Sequence, residues 1–215
     1  MFLKERERIM LSNRLVKHFG AAAAAAVVVG SANAAIVYSG TLNFVCAVDI
    51  DGCYINVETG VLSNGPGSGV PGWDVNPYST SGGMNFFNST GGGQLRQPGQ
   101  TTGPAGNLAA GTVIGSTGSF NTSTSNVYAT ASAGWQYSAT NMIGFRFVSA
   151  AGTTHYGWMR FAMGAPGSAG TAMTRTLVDY AYENVAGGSI GAGVIPAPGA
   201  LALLGLAGLA ARRRR

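Results

Sequence analysis

The chain has 215 residues, of which 46% are hydrophobic, only 10% are charged and 34 are glycine. That glycine content is roughly twice the usual share of about 7%, and without a triplet repeat it excludes collagen and disfavours a mainly helical protein. The low charge disfavours a charged disordered tail, and the lack of heptads disfavours a coiled coil. The composition therefore indicates a loop-rich, mostly β protein with one domain of ordinary size.

The net charge of +5 comes from the two ends of the chain. Five cations lie in the first 17 residues and four arginines are the last four residues, whereas residues 35–193 contain four arginines and six acidic residues. The part expected to fold therefore has a net charge of −2 and lacks the cluster of cations that phosphate binding needs. We expect no nucleic-acid partner.

Residues 1–34 are predicted to be a Sec signal peptide, with the Sec translocon and signal peptidase as its partners. A basic region precedes a small apolar run that is too short to span a bilayer. Ala32 and Ala34 are the small residues of an Ala-x-Ala site, which predicts cleavage before Ala35. Met10 is an alternative start, and an N-terminal anchor helix is the alternative to cleavage.

Residues 35–193 are predicted to form one glycine-rich, all-β domain. We expect an antiparallel β-sandwich, jelly-roll-like, with long loops. Its first strands are predicted at 36–38, 42–48 and 54–57, where β-branched and aromatic residues stand between turn residues.

Cys46 and Cys53 are the only cysteines of the chain. Asp49–Gly52 between them is predicted to be a hairpin turn that brings them close enough for a disulfide, the default in an oxidising compartment. In the chain-entropy model, a disulfide that closes this loop stabilises the folded state by about 2–2.5 kcal/mol. Two buried thiols are the alternative. No metal site is expected, because His155 is the only other soft donor of the domain.

Residues 60–118 include 16 glycines and few obvious strands. A structureless stretch of that length is unusual in a compact domain. Apolar islands at 73–78, 84–87 and 112–114 are therefore predicted to enter the core as short strands joined by long loops.

The second half of the domain contains the clearest strand patterns. In 143–147 the apolar residues alternate with polar or small ones, and 156–163 and 174–183 are predicted to pair as an antiparallel hairpin. A strict period of two in the last segment puts Val178, Tyr180 and Tyr182 on one face, and Arg175, Asp179 and Glu183 on the other.

The last 22 residues have three parts in a fixed order. Pro196 and Pro198 flank Ala197, an apolar Leu/Ala/Gly-rich segment predicted to be a hydrophobic helix follows, and the chain ends in Arg212, Arg213, Arg214 and Arg215. The arrangement resembles the PEP-CTERM sorting signal of Gram-negative bacteria, with Ala197 where that family has Glu. The resemblance implies processing by an exosortase near the Pro-x-Pro motif, after a transient stay in the inner membrane. A plain tail-anchored helix is the alternative.

Three segments of the β domain also resemble recurring segments of secreted PEP-CTERM proteins of undefined function: 51–57, 71–78 and 155–161. This resemblance implies no activity. Together with the tail it implies a cell-surface or extracellular location and an association with extracellular polysaccharide or biofilm.

No catalytic constellation, cofactor motif or metal site stands out. His155 could take part in a Ser-His-acid triad, but no nucleophile-elbow pattern selects a serine. A glycosidase needs two opposed carboxylates, and neither Asp74 nor Asp179 is marked as one of a pair. Asp49 and Asp51 only partly match a calcium loop, because Gly52 comes too early.

These patterns predict an exported, surface-sorted structural or extracellular-matrix protein without catalytic activity or cofactor. A surface carbohydrate-binding module is the alternative, and a secreted hydrolase is the third hypothesis. Aromatic side chains exposed on a sheet could stack on sugars, although most aromatics of a glycine-rich fold are expected in the core. The residues singled out for glycan stacking are Trp73, Tyr156 and Trp158.

Overall fold

The computed structural model describes residues 36–79, 84–122, 125–127, 132–165 and 173–196. All of them belong to one compact unit, Ala34–Arg215, and the other unit, Met1–Asn33, lies outside the described residues. The described residues contain no α-helix, and their strands all pair antiparallel, which confirms the all-β prediction. None of the described residues belongs to an apolar helix of membrane-spanning length.

The regular structure of these residues consists of short strands, three long strands and two single-turn 3-10 helices, Gly67–Gly69 and Ser132–Gly134. The strands predicted inside the glycine-rich stretch are present as the fifth, sixth and eighth of the series. In chain order the strands are β1 (Ile36–Tyr38), β2 (Phe44–Cys46), β3 (Cys53–Ile55), β4 (Leu62–Asn64), β5 (Val75–Tyr78), β6 (Met84–Asn88), β7 (Gly93–Leu95), β8 (Val113–Ile114), β9 (Phe120–Asn121), β10 (Ser125–Val127), β11 (Ala139–Val148), β12 (Thr154–Met163), β13 (Arg175–Glu183) and β14 (Ile190–Gly191).

A seven-stranded sheet is built around the long strands β11, β12 and β13. Its order is β1-β13-β12-β11-β7-β9, and β2 also pairs with β13. The pairing of β12 with β13 confirms the predicted hairpin. Along β11 the alternation also holds, because Ile143, Phe145 and Phe147 are fully buried in one cluster.

A five-stranded sheet, of order β10-β6-β5-β3-β4, contributes to the same cluster. Ile55, Val75 and Phe86 of this sheet are fully buried there, and the ring of Phe86 lies 5.9 Å from that of Phe161 in β12. Removing one such side chain from water is worth about 1.5–3 kcal/mol. The two sheets therefore share a hydrophobic core.

The other face of the seven-stranded sheet has its own, smaller cluster. Trp158 of β12 and Ala181 of β13 pack there with Ile114 and Ile190, which belong to the two-stranded sheet β14-β8. This cover explains why so large a side chain as Trp158 has no exposed surface.

The prediction of a hairpin between the two cysteines is wrong. Strand β2 pairs with β13 in the seven-stranded sheet, whereas β3 pairs with β4 and β5 in the five-stranded sheet. The segment between them is a corner. Its turn is closed by Asp49, whose Oδ1 accepts hydrogen bonds from the N–H groups of Asp51 at 3.1 Å and Gly52 at 2.8 Å.

The predicted face of Arg175 is also wrong, because β13 contains a bulge. Phe161 pairs with Leu177 but the neighbouring Arg160 pairs with Asp179, so one extra residue stands in β13. An extra residue reverses the alternation of side chains beyond it. Arg175 consequently points to the same side as Tyr180 and is only 1% exposed, while Asp179 points to the opposite side.

Candidate functional site

The structure separates the three aromatic residues singled out for glycan stacking. Trp158 has no exposed surface and its indole N–H donates to the carbonyl of Val194 at 2.9 Å. Tyr156 is also buried, with its ring 5.8 Å from that of Phe120. Only Trp73 is partly exposed. Of the three, Trp73 alone is open to a ligand.

Trp73 lies between two other aromatic rings on the outer side of the five-stranded sheet. Its ring centroid is 5.1 Å from that of Tyr54, edge to face, and 5.6 Å from that of Phe87, at an interplanar angle of 34°. Phe87 is 50% exposed. We call Tyr54, Trp73 and Phe87 the aromatic platform. All three side chains keep some exposed surface, and Phe87 keeps the most.

The strand pattern explains why two of these rings point outward. Successive side chains of a strand point to opposite faces. In β3, Tyr54 stands between the buried Cys53 and Ile55, and in β6, Phe87 follows the buried Phe86. Both rings therefore point away from the shared core and towards the solvent side of the sheet.

The loop that contributes Trp73 is fixed by Asn56. Its Nδ2 donates to the carbonyls of Pro71 at 2.9 Å and Gly72 at 3.0 Å, and its Oδ1 accepts from the N–H of Thr59 at 2.9 Å. A side chain that is buried and bonded on both ends has little freedom to move. The platform is therefore largely formed before any ligand binds.

Asp74 fixes the other end of this loop. Its N–H donates to the carbonyl of Ile55 at 2.8 Å, and its Oδ2 accepts from the N–H of Val57 at 2.9 Å. Burial raises the pKa of Asp74 to about 6, against the effect of the hydrogen bond from Val57. This carboxyl is bound to the backbone next to the platform, and the nearby charge of Glu58 adds to the rise of its pKa.

Gly67 leaves room for the platform. A Cβ there would lie 2.7 Å from Cε1 of Tyr54 and 3.0 Å from Nε1 of Trp73. The 3-10 helix Gly67–Gly69 can approach the two rings this closely only because this position has no side chain.

His155 lies at the edge of the shared core. It is 6% exposed and its ring stacks 5.5 Å from that of Phe147. Nδ1 lies 2.9 Å from the carbonyl oxygen of Glu183, so Nδ1 is the donor, and Nε2 lies 2.9 Å from Oγ1 of Thr153. Both ring nitrogens are therefore engaged, and Nε2 accepts from the hydroxyl of Thr153, an exposed residue whose Oγ1 also lies 2.8 Å from Oγ of Ser149.

The remaining acidic candidates are engaged in structure. Asp179 is fully buried, accepts a hydrogen bond from the hydroxyl of Tyr38 at 2.8 Å and forms a two-pronged ion pair with Arg160. Asp49 caps the corner turn described above. Among the described residues no group of three or more His, Cys, Asp or Glu side chains is placed to hold a metal ion.

The two cysteines form a disulfide, with their Cα atoms 5.1 Å apart. Because Cys46 is in β2 and Cys53 in β3, this bond joins the two sheets. Arg175 lies at the same corner, donating to the carbonyls of Ala47 at 2.6 Å and Tyr78 at 3.1 Å. Burial lowers the pKa of Arg175 to about 10. These bonds between sheets make the corner a rigid support.

Sequence reasoning missed Tyr54 and Phe87 as members of the site. A signal for Phe87 was present, because it follows the apolar Met84 and Phe86 one position out of alternation. Tyr54 gave no such signal, since a tyrosine inside a short strand is typical of either face.

The chain matches no protein-family model, no curated protein and no solved structure. The predicted cleavage residues Ala32, Ala34 and Ala35, together with Pro198 and the arginines 212–215, lie outside the described residues. Pro196 is the last residue described. The features that bear on function are therefore the aromatic platform and the sequence of the two ends.

Proposed function

We propose that this is an exported, surface-sorted extracellular-matrix protein, and that its β domain binds extracellular polysaccharide through the aromatic platform. The observation that carries the binding function is the pair of Trp73, which is partly exposed, and Phe87, which is 50% exposed, with Tyr54 beside Trp73. Export and sorting to the cell surface are proposed from the signal-peptide and PEP-CTERM-like sequences at the two ends.

The physical basis of binding is the burial of apolar sugar surface on aromatic rings. One face of a pyranose ring carries mainly C–H groups, which gain free energy when they leave water for an aromatic face. A tryptophan and a phenylalanine whose centroids are 5.6 Å apart place two aromatic rings within reach of neighbouring sugar units. Fixing the rings beforehand, as Asn56 and Asp74 do, reduces the entropy lost on binding.

A matrix role without catalysis is supported by the state of the acid and base candidates. His155, Asp74 and Asp179 are each bonded within the fold. Hydrolysis of a glycoside needs two carboxyl groups on opposite sides of one bond.

The finer architecture we propose is a β-sandwich, clamped by the disulfide as suits an oxidising compartment. The shared core of the five- and seven-stranded sheets supports it. The jelly-roll-like order has less support, because β11, β12 and β13 are successive neighbours in one sheet.

The test is binding of the full-length protein, purified in mild detergent, to a glycan array and to insoluble polysaccharides. Trp73→Ala and Phe87→Ala are expected to weaken binding by about tenfold or more, since each removes a large apolar contact. The matched control is Ile50→Ala, which shortens an apolar side chain that is 72% exposed, lies in the corner between β2 and β3 and is not part of the platform. Unchanged thermal unfolding would show that the two variants fold.

Fluorescence gives a second readout. Of the three tryptophans, Trp135 and Trp158 are 3% and 0% exposed, so a ligand that protects the protein from acrylamide quenching must act mainly at Trp73. The proposal is overturned if the folded variants bind as the wild type does, or if the wild type binds none of the polysaccharides.

A further inference from the structure

A second candidate site lies on a different part of the fold. A cleft of about 330 Å³ opens between the loop that follows β7, the exposed end of β8 and the turn that leads into β9. Pro98 and Val113 contribute apolar surface, and Val113 is 66% exposed. The polar side chains of the lining are Arg96, Gln97, Gln100, Thr101, Thr112, Thr117 and Ser119. The lining therefore has one cation, many neutral hydrogen-bonding groups and no carboxylate.

Arg96 is held in a fixed orientation without a carboxylate partner. Its Nε donates to the carbonyl of Gly103 at 3.1 Å, and its Nη1 donates to the carbonyl of Phe120 at 2.6 Å and to Oγ of Ser119 at 3.2 Å. Nη2 donates to none of the described residues. The guanidinium therefore still has donors to offer to a ligand.

A second cation strengthens the positive potential near this cleft. The guanidinium of Arg146 lies over the ring of Phe120, 5.0 Å from its centroid, and the carbonyl of the same Phe120 binds Arg96. Residues 35–193 have a net negative charge, so this pair of cations is a local exception. An anionic group is attracted to the cleft even though the domain as a whole repels it.

The lining is formed before any ligand binds. The turn below the cleft is closed by the N–H of Gln100, which donates to the carbonyl of Gln97 at 2.9 Å. Nε2 of Gln97 donates to the carbonyl of Asn107 at 3.3 Å, and a Cβ at Gly106 would come within 2.4 Å of Cγ of Gln97. The backbone therefore packs directly against Gln97 and fixes its position.

We propose that this cleft binds a uronate residue of an acidic polysaccharide, with the carboxylate on Arg96. The proposal rests on the proposed polysaccharide-binding function and names the chemical class of the chain that is bound. Hydroxyl and amide groups of the lining match the hydroxyls of a sugar, while Pro98 and Val113 match its apolar face. Arg96 is the one cation of the lining and stands among neutral donors, which suits one carboxylate, whereas a phosphodiester chain needs clustered cations.

The test compares two probes that differ only in charge. One is a tetrasaccharide containing uronate, and the other is the same tetrasaccharide with its carboxyl groups reduced to alcohols. Titration calorimetry with the full-length protein in detergent is expected to give about tenfold tighter binding of the acidic probe at low salt, because a charge-assisted hydrogen bond is lost with the carboxylate. The preference is expected to shrink as salt rises.

Two variants assign the preference to the cleft. Arg96→Gln removes the cation, and Thr117→Glu adds an acid at an exposed lining residue while leaving the bonds of Arg96 intact. Both are expected to bind the two probes equally. Val45→Glu, which places the same charge at an exposed position of β2, is expected to keep the preference.

The outcomes separate this proposal from the platform. If the wild type binds both probes equally through Trp73 and Phe87, the uronate proposal is overturned and the platform remains. If Trp73→Ala leaves all binding unchanged while Thr117→Glu abolishes the preference, the platform fails and the cleft remains. Competition by inorganic phosphate at concentrations similar to those of the acidic probe would reduce the cleft to a simple anion site and overturn the uronate assignment.

Discussion

Cys46 and Cys53 lie in different sheets, with their Cα atoms 5.1 Å apart, so the bond between their sulfurs ties the edge strand β2 to β3. Beside them, Arg175 binds carbonyls that follow β2 and end β5. The corner therefore combines a covalent link with hydrogen bonds that only a folded pair of sheets can form.

Reduction of this disulfide is expected to destabilise the protein by about 2–2.5 kcal/mol, because the unfolded chain regains the freedom of a closed loop of about 8 residues. Urea unfolding of the full-length protein, with and without reductant, measures this difference. The double variant Cys46→Ala, Cys53→Ala serves as the control and should not respond to reductant. Equal unfolding midpoints for the oxidised and reduced wild type would contradict the expectation.

Asp74 is expected to make stability depend on pH. Burial raises its pKa from 3.8 to about 6, so the folded state binds more protons than the unfolded state between these values. Stability is therefore greatest with Asp74 protonated and falls as pH rises from 3.8 to about 6, by at most about 3 kcal/mol.

Asp74→Asn keeps an oxygen that accepts from the N–H of Val57, and it removes the group that titrates. Unfolding in urea at pH 4 and pH 7 should then show a smaller loss of stability with pH in the variant than in the wild type. Asp51→Asn, at an exposed position of the corner turn, is the matched control and should leave the loss unchanged. The assignment fails if Asp74→Asn and Asp51→Asn give the same pH dependence.

A side chain at Gly52 is expected to destabilise the fold. Its φ is +63°, and a Cβ would lie 2.1 Å from the carbonyl oxygen of Pro77, which is backbone and cannot easily move. Gly40 has a similar φ of +70° but open space around it. Gly52→Ala should therefore lower the free energy of unfolding by about 1–3 kcal/mol more than Gly40→Ala does. A side chain strains the left-handed backbone at both positions, but only at position 52 does it overlap other atoms. Equal losses of unfolding free energy would show that the corner can widen.

The sequence was sufficient for features that depend on local alternation. The period of two along β11 correctly predicted the buried face of Ile143, Phe145 and Phe147, and the islands in the glycine-rich stretch were correctly predicted as strands. The disulfide was predicted correctly, but from a hairpin that does not exist. Short spacing between the cysteines constrains their distance whichever sheets their strands join.

Features that depend on pairing between strands distant in sequence could not be predicted from local alternation. The bulge at β13 reverses the expected face of Arg175, and no local pattern marks the extra residue. The exposure of aromatic residues depends on what covers them: Trp158 is covered by β8 and β14, whereas nothing described covers Phe87 to the same extent. The platform therefore emerged only from the assembled sheets.

Processing at both ends is expected to leave the core contacts of the domain intact. The carbonyl of Val194 is held by the indole of Trp158, and Pro196 lies two residues later. Intact-mass analysis of the protein recovered from the cell surface and medium should give a species that begins at Ala35 and ends near Pro196. With the disulfide formed, it should be two hydrogen masses lighter than the reduced chain.

The contrary outcome has a clear meaning for the sorting proposal. A species in the inner membrane that retains Arg212–Arg215 would show that the apolar segment is a permanent tail anchor. Glutamate in place of Ala197 tests the departure from the family motif: Ala197→Glu should increase the processed fraction if an exosortase reads this residue. An unchanged fraction, with the wild type already processed, would show that the acid is not needed for cleavage of this chain.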